Sequence, residues 1–402
     1  MKFFVFIVAL VNIIHAQIAL PTFQGAHKSH SSSSSSANGP AIANGYLHSL
    51  VILENGTVKA FGSSSYGQLG QGNITSIGDN ANEMGDNLAA VDLGSGRTAI
   101  AVASGVYHSV AILDNGTVKA WGHNNYGVLG QGNTASIGDN ANEMGDNLTA
   151  VDLGSGRTAT AIAAGFYHTV ALLDNGTVKA WGQNNYGQLG QGNTTRIGDN
   201  ANQMGDNLSA VDLGSGRTAT AIAAGLYSTV ALLDNGTVKA WGRNNIGQLG
   251  QGNITSIGDN ANEMGDNLAA IDLGSGRTAT DVSIGYMNSM VLLDNGTVKV
   301  WGQGSFGYNG QGNTTSIGDN ANEMGDNLAA IDLGSGRTAV KISAGYRHCA
   351  ALLDNGTVKA WGYNTFGQLG QGNTTNIGDN ANEMGDNLSN IDLSSSSDKV
   401  LQ

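Results

Sequence analysis

The chain has 402 residues, of which 61 are Gly, 2 are Pro and 1 is Cys, and only 12% are charged. This glycine content argues against a helical bundle, because glycine is costly inside helices and is used where strands turn. The formal net charge of −13 disfavours nucleic acid and anionic membranes as partners.

The N-terminus has the pattern of a secretory signal peptide. Lys2 is followed by a mostly apolar run, residues 3–14, and Ala16 is a small residue suited to cleavage. A spanning helix needs roughly 20 apolar residues, so the run is short for an anchor, although a retained anchor is the alternative interpretation. We predict a signal peptide over residues 1–16, a secreted or extracellular protein and no stable membrane span.

Two polar segments flank the rest of the chain. Residues 17–40 include six consecutive serines, residues 31–36, and we predict a Ser-rich flexible linker there, either a plain spacer or an O-glycosylated stalk. Residues 394–402 form a polar tail. The single Cys349 has no partner for an internal disulfide, and we interpret it as a small buried strand residue.

A repeat of 60 residues fills the region between these segments. The sequence Asn-Gly-Thr-Val-Lys begins at Asn55 and returns five more times at that spacing, the last time at Asn355. Six repeats of this length leave room for one array, over residues 41–393, and for no unrelated domain.

Each repeat predicts four short strands. In the third repeat these are Thr160–Ala164, His168–Leu173, Thr177–Trp181 and Leu208–Leu213, separated by glycine-rich turns. Asn175-Gly176 between the second and third strands predicts a hairpin with a type I′ turn. We expect an ordered glycine-rich loop between the third and fourth strands.

Four-stranded units that are apolar on both faces fit the blades of a β-propeller, in which sheets pack on their neighbours around an axis. The alternative, an open β-solenoid, usually has much shorter repeats. We therefore predict an all-β protein, a β-propeller of six four-stranded blades.

The repeat resembles that of the regulator-of-chromosome-condensation family. The resemblance rests on Gly165-x-x-His168-Thr169, on Leu173-Asp174-Asn175-Gly176 and on Trp181-Gly182-x-Asn184-x-Tyr186-Gly187-Gln188-Leu189-Gly190, and it extends over residues 41–393. It implies a propeller with one repeat per blade, usually of seven blades and often closed by strands from both termini. With six repeats, the ring either has six blades or is incomplete. Closure would pair residues 41–43 with the sheet that holds residues 388–393.

In an up-and-down blade, the loops after the first and third strands lie at one end, and the Asn-Gly turn lies at the other. We call the first of these the variable end, because its residues differ between repeats, and the second the turn end. We predict a partner-binding surface at the variable end, with neutral drift as the alternative interpretation; aromatic and Arg side chains are frequent in binding hot spots. Its candidate residues are Tyr107, Phe166, Tyr167, Tyr227, Met287 and Arg347 after the first strand, and His123, Gln183, Arg243, Gln303 and Tyr363 after the third.

A histidine recurs at one position of the repeat, at His48, His108, His168 and His348, and is replaced by Ser228 and Asn288. Catalysis needs one base with a nucleophile and an orienting acid, whereas this residue recurs and is missing from two repeats. We predict a structural hydrogen bond and no catalytic residues.

The loops carry an acidic, amide-rich sequence, residues 79–86 in the first repeat, which contains oxygen ligands of the kind that calcium prefers. The ligand spacing of an EF-hand loop is absent, and Asx turns explain the same residues. Zinc is disfavoured by the near absence of cysteine. We predict no metal and no cofactor.

Fourteen Asn-x-Ser/Thr sequons are glycosylation candidates, with the turn preferences of Asn-Gly-Thr as the alternative explanation. They are Asn55, Asn115, Asn175, Asn235, Asn295 and Asn355 in the turns, and Asn73, Asn147, Asn193, Asn207, Asn253, Asn313, Asn373 and Asn387 in the loops.

The resemblance implies several functions, because family members include a nucleotide exchange factor for the Ran GTPase, parts of ubiquitin ligases, a plant ultraviolet photoreceptor and bacterial β-lactamase inhibitors. Exchange activity in the nucleus conflicts with the signal peptide. The tryptophans, Trp121 to Trp361, stand in the Trp-Gly strand end and not in the clustered arrangement of the photoreceptor. We predict a secreted non-enzymatic propeller that binds a protein or glycan. The alternatives are an inhibitor of an extracellular enzyme, a surface-coat protein and, least favoured, an exchange factor.

Overall fold

The computed structural model describes residues 41–393. The predicted signal peptide, linker and tail lie outside these residues. Six separate antiparallel sheets follow one another along the described chain, and each contains three strands that pair in sequence order. We number them blades 1 to 6, with their loops, as residues 41–93, 99–153, 159–213, 219–273, 279–333 and 339–393. The prediction of a six-bladed β-propeller is confirmed.

The strands recur with nearly constant bounds. The inner strands are Ala41–Asn44, Ala99–Ser104, Ala159–Ala164, Ala219–Ala224, Ala279–Ile284 and Ala339–Ala344; the middle strands are His48–Ile52, His108–Leu113, His168–Leu173, Ser228–Leu233, Asn288–Leu293 and His348–Leu353; the outer strands are Val58–Gly62, Val118–Gly122, Val178–Gly182, Val238–Gly242, Val298–Gly302 and Val358–Gly362. Short 3₁₀ helices lie at Gly85–Asn87, Gly145–Asn147, Gly205–Asn207, Gly265–Asn267, Ser305–Gly307, Gly325–Asn327 and Gly385–Asn387. Within residues 41–393, no helix has the length and apolar character that crossing a membrane requires.

The predicted fourth strand is wrong. In the segment Leu208–Leu213, the amide of Val211 donates to the carbonyl of Val178 at 2.7 Å, but no ladder continues from this bond. The carbonyls of the segment have other partners: that of Asp212 accepts the amide of Gly265, and that of Leu213 accepts Nζ of Lys239, both from the next blade. The segment therefore joins two blades and does not extend its own sheet.

The hairpin turn also differs from the prediction. Gly176 has a φ of 78°, but Asn175 is not among the residues with positive φ, so the turn is not type I′. The amide of Gly176 donates to the carbonyl of Leu173, and the amide of Leu173 donates to the carbonyl of Thr177. One left-handed residue is enough for this longer turn, which explains why glycine occupies its last position.

The core lies between the blades. Five apolar clusters each combine side chains of two consecutive blades, as where Val110, Ile112 and Leu129 of blade 2 meet Leu173 and Trp181 of blade 3. The buried Trp of each blade from 2 to 6 also donates its Nε1 proton to a carbonyl of the preceding blade at 2.9 to 3.2 Å. The repeats are thus held by five nearly identical junctions.

The sixth junction, between blades 6 and 1, has no shared apolar cluster among the described residues, and a ring contact between Tyr46 and Tyr346 joins the two blades there instead. The sixth apolar cluster contains only blade 6 residues, and blade 1 carries the half-buried Phe61 where the others carry a buried Trp. The inner strand Ala41–Asn44 pairs only with its own middle strand, so its predicted pairing with residues 388–393 is wrong. The extended segment at 388–393 carries no sheet ladder that this strand could join.

Candidate functional site

The variable end brings the two predicted sets of loop residues together. In every blade, the amide of the residue after the outer strand donates to the carbonyl of the residue just before the middle strand, as from Gln183 to Tyr167 and from Arg243 to Tyr227, both at 2.8 Å. The same bond joins His123 to Tyr107, Gln303 to Met287 and Tyr363 to Arg347. The prediction that both loops share one end is confirmed.

The aromatic side chains at this end form a continuous series across blades 1 to 4, which we call the aromatic arc. Its members are Tyr66, Tyr107, His123, Tyr126, Tyr167, Tyr227 and Tyr186, and the centroids of rings in contact are 4.5 to 6.4 Å apart. Such contacts hold the rings in place before any partner arrives, which lowers the entropic cost of binding.

Two arginines that form no ion pair with an acid in the described chain, Arg243 and Arg347, lie over rings at this end. A third, Arg196, lies 5.9 Å from the ring centre of Tyr126 and pairs with Asp199. The guanidinium carbon of Arg243 is 5.1 Å from the ring centre of Tyr186, at the blade 4 end of the arc. That of Arg347 is 5.1 Å from Tyr346 and 5.8 Å from Tyr363. Cation–π contacts at these distances orient both positive charges without pairing them to an acid.

The candidates differ in accessibility. Tyr107, Phe166, Tyr167, Tyr227, Met287, Arg243, Gln303, Arg347 and Tyr363 are all partly exposed. His123 and Gln183 are buried, and burial lowers the pKa of His123. These two side chains support the surface from below and do not offer it contact area.

Sequence reasoning missed part of this surface. Tyr66, Tyr126 and Tyr186 occupy the aromatic position of the Asn-x-Tyr-Gly-Gln motif, where blades 5 and 6 carry Phe306 and Phe366. The ring of Phe306 lies 5.1 Å from that of Tyr363. The signal was present in the sequence, because an aromatic residue recurs there in five of the six repeats.

The turn end is uniform. An ion pair joins the Arg of the Gly-Arg-Thr turn to the Asp of the hairpin in blades 2 to 6, as from Arg157 to Asp174 and from Arg217 to Asp234, and all five span 3.3 to 3.4 Å. Both partners are more than a third exposed, so each pair adds little stability. This end repeats one structural contact and lacks the diversity of the variable end.

Three of the four recurring histidines form the predicted structural bond, and His348 does not. Nε2 of His48, His108 and His168 lies 2.9 to 3.2 Å from the hydroxyl of Ser109, Thr169 or Thr229 in the next blade. In blade 5, Asn288 donates to the buried Sγ of Cys349 at 3.0 Å, and burial raises the pKa of that thiol to about 12. Burial also lowers the pKa of His108 and His168 to about 3, so both rings are neutral.

We expect these buried histidines to make the stability of the fold sensitive to acid. Below pH 6.5 the unfolded chain protonates both rings while the folded chain keeps them neutral until about pH 3, so stability falls as pH decreases through this window. At pH 5.5 the two rings together cost about 3 kcal/mol relative to pH 7.5.

The double variant His108→Asn, His168→Asn tests this effect, since Asn288 shows that asparagine fits the position. Urea unfolding at pH 7.5 and 5.5 measures how much free energy of unfolding each protein loses between these pH values. This loss should be smaller by about 3 kcal/mol in the variant than in the parent. Equal losses in both proteins would show that the two rings do not carry the acid sensitivity.

The acidic loops are held by internal hydrogen bonds. The carboxylate of Glu83 accepts the amides of Gly78 and Asn80 and Nδ2 of Asn80, at 2.7 to 3.1 Å. In blade 3, Gln203 replaces the glutamate, and its Oε1 accepts the corresponding two amides, those of Gly198 and Asn200. Across residues 41–393, no group of three or more His, Cys, Asp or Glu side chains is placed to hold a metal ion.

All fourteen sequon asparagines are exposed. In the turns, Oδ1 of Asn115 accepts hydrogen bonds from the amide and hydroxyl of Thr117, and Nδ2, the atom to which a glycan would be attached, takes no part in these bonds. In the loops, Nδ2 of Asn73 and of Asn147 donates to backbone carbonyls. The turn asparagines are therefore the more available set, and they lie opposite the variable end.

Known proteins are similar to this chain over most of its length. The chain is 28% identical over 360 residues to the human E3 ubiquitin-protein ligase HERC2, covering 90% of this chain but 7% of that protein. It is 28% identical over 341 residues to the ultraviolet-B receptor UVR8 of Arabidopsis thaliana, covering 83% of this chain and 67% of the receptor.

The solved structure of yeast RCC1 (Prp20) bound to Kap60 shares the fold, with a TM-score of 0.63 at 20% identity, over 88% of this chain and 74% of that one. The family model described as the RCC1-like domain matches residues 16–390, nearly the whole chain. This chain is a member of the RCC1-like domain family.

Proposed function

We propose that this chain is a secreted, non-enzymatic binding module that holds a protein partner at its variable end. The observation that carries the proposal is the contrast between the two ends of the propeller. The variable end offers the aromatic arc, with Arg243 at one end of it, whereas the turn end repeats one ion pair. Pre-positioned Tyr and Arg side chains are the residues most enriched in binding hot spots.

A protein partner is favoured over a glycan by the comparisons. A propeller of the same fold has been solved in complex with the protein Kap60. The support for a non-enzymatic role is local: the recurring histidines are buried against hydroxyls of the next blade, and the one thiol, Cys349, is buried and protonated. Secretion rests on the signal sequence at residues 1–16.

The glycosylation sites fit the same proposal. Glycans on Asn115, Asn175 and Asn235 would project from the turn end and leave the variable end accessible. We propose that these asparagines carry N-linked glycans when the chain is secreted by a eukaryotic cell.

The test is capture from the extracellular extract of the source by three proteins secreted from a eukaryotic host through their own leader. They are the parent, the variable-end variant Tyr167→Ala, Arg243→Ala, Tyr363→Ala, and the turn-end control Arg157→Ala, Arg217→Ala. We expect the parent and the control to retain one protein, and the variable-end variant to retain at least tenfold less, because each lost hot-spot contact costs more than about 1 kcal/mol.

Four results would each contradict part of the proposal. Equal retention by all three proteins would place the binding surface elsewhere, and retention of a carbohydrate alone would replace the protein partner by a glycan. Absence of the chain from the medium would overturn secretion. Digestion with peptide N-glycosidase F should lower the mass of the secreted parent, and an unchanged mass would exclude glycan use.

A further inference from the structure

We propose that the axial cavity of the propeller binds an amphipathic organic acid, with its apolar tail among the inner strands and its carboxylate at Arg347. This inference goes beyond the proposed function, because a small molecule inside the ring and a protein on the outer surface do not require one another.

The cavity has the size and the walls of a small-molecule site. Its volume is about 820 Å³, within the range of roughly 300 to 1,000 Å³ that is usual for such sites. The inner strands of all six blades line it, with side chains such as Ala103, Ile162, Ala163 and Ile222. These walls offer apolar surface to an alkyl or ring system.

Four aromatic rings line the cavity at the variable end. Tyr46, Phe166, Tyr286 and Tyr346 form a closed cycle of contacts with ring centroids 4.5 to 5.9 Å apart. They come from blades 1, 3, 5 and 6, so four different blades supply one apolar rim. A ligand inside the cavity meets these rings at one end and the apolar inner strands along its length.

One corner of the cavity carries an uncompensated cation. Arg347 lines the cavity, and among the described lining residues there is no Asp or Glu. Its neighbours are the rings of Tyr346 and Tyr363, and its buried Nε has no hydrogen-bond partner within residues 41–393. A ligand carboxylate at the guanidinium would give this cation the counter-charge that the cavity lining lacks, through charge-assisted hydrogen bonds.

His348 lies beside Arg347 and adds a second unmet group. It is 6% exposed and lines the cavity, but its Nε2 has no partner within the described chain. Its counterpart His108 bonds the hydroxyl of Thr169 in the next blade. Arg347 and His348 thus both lie in the cavity wall, beside the break between blades 6 and 1.

The two features together define the ligand class. The protein carries a net charge of −13, so a small anion such as acetate gains little from one arginine. A long apolar tail supplies the remaining binding energy through burial among the inner strands. We therefore expect dodecanoate to bind, and acetate and the uncharged dodecanol to bind far more weakly.

The experiment is calorimetric titration of the full chain, as secreted, with dodecanoate below its micelle concentration. Arg347→Gln removes the charge, and Ala163→Leu fills the channel. Arg243→Gln is the matched control, because Arg243 has the same arrangement over two tyrosines, at 5.1 and 5.8 Å, but does not line the cavity.

We expect one dodecanoate per chain, a dissociation constant raised at least tenfold by Arg347→Gln or by Ala163→Leu, and no change with Arg243→Gln. Circular dichroism confirms that each variant is folded, and Arg347→Gln decides the test if Ala163→Leu does not fold. No binding by the folded parent, equal binding by parent and Arg347→Gln, or equal affinity for dodecanol would each overturn the proposal.

Discussion

We expect the Leu173→Ala variant to lose about 3 kcal/mol of its free energy of unfolding. Leu173 is 2% exposed and lies in the apolar cluster between blades 2 and 3, where it meets Ile112 and Trp181. The truncation removes buried methyl groups and leaves a cavity that the rigid sheets on either side cannot fill. Urea unfolding followed by tryptophan fluorescence measures the loss.

The chain contains its own control for this result. Leu53 occupies the same repeat position in blade 1 but is 40% exposed, because no described blade packs against that side. Leu53→Ala should therefore cost less than about 1 kcal/mol. Equal losses in the two variants would show that the face of blade 1 that carries Leu53 is buried as fully as the faces between the other blades.

Asp281 gives the second large effect. It is 8% exposed in the inner strand of blade 5, where blades 2, 3 and 4 carry Ala101, Ala161 and Ala221. Burial raises the pKa of its carboxyl to about 7, although the amide of Val282 and the charge of Lys341 oppose the shift. We expect Asp281→Ala to stabilise the protein, and the gain to depend on pH.

The direction follows from proton uptake. Between about pH 3.8 and pH 7 the folded chain holds a proton on Asp281 that the unfolded chain has released, so the carboxyl destabilises the fold increasingly as pH rises through this window. Above pH 7 the carboxyl lowers the free energy of unfolding by a constant amount of roughly 4 kcal/mol, and at pH 5 by roughly 2 kcal/mol.

Thermal and urea unfolding at pH 5 and pH 8 should thus show a larger gain for Asp281→Ala at pH 8. Asp281→Asn separates charge from size, since it keeps the shape and removes the ionisation, and most of the pH dependence should disappear with it. A gain of the same size at both pH values would contradict a buried carboxyl with a raised pKa.

The repeat made most of the fold predictable. A fixed spacing of 60 residues and an Asn-Gly turn in each unit defined the hairpin and the number of blades. The fourth strand was not predictable from the apolar pattern of Leu208–Leu213, because Asp212 and Leu213 give their carbonyls to the next blade and no ladder forms. The apolar pattern of a segment predicts which residues are buried, but it does not show which backbone groups already hydrogen-bond to another blade.

The candidate surface was predictable in its location and only partly in its members. Tyr107, Tyr167 and Tyr227 stand at a position that varies between repeats and were recognised for that reason, whereas Tyr126 and Tyr186 belong to a repeated motif and were not among the candidates. Their contacts with the variable rings emerge only when neighbouring blades are placed side by side. The break between blades 6 and 1 also required the structure, since each repeat looks complete in sequence.

Under the proposed function, the partner binds at the variable end. Hydrogen–deuterium exchange of the complex with the captured protein tests it most directly, because amides at the interface lose access to water. We predict slower exchange in peptides that contain Tyr107, Tyr167 and Arg243, and unchanged exchange in the hairpin turns at Asn115 and Asn175. Protection of the hairpin turns, with the variable end exchanging as in the free protein, would contradict the account.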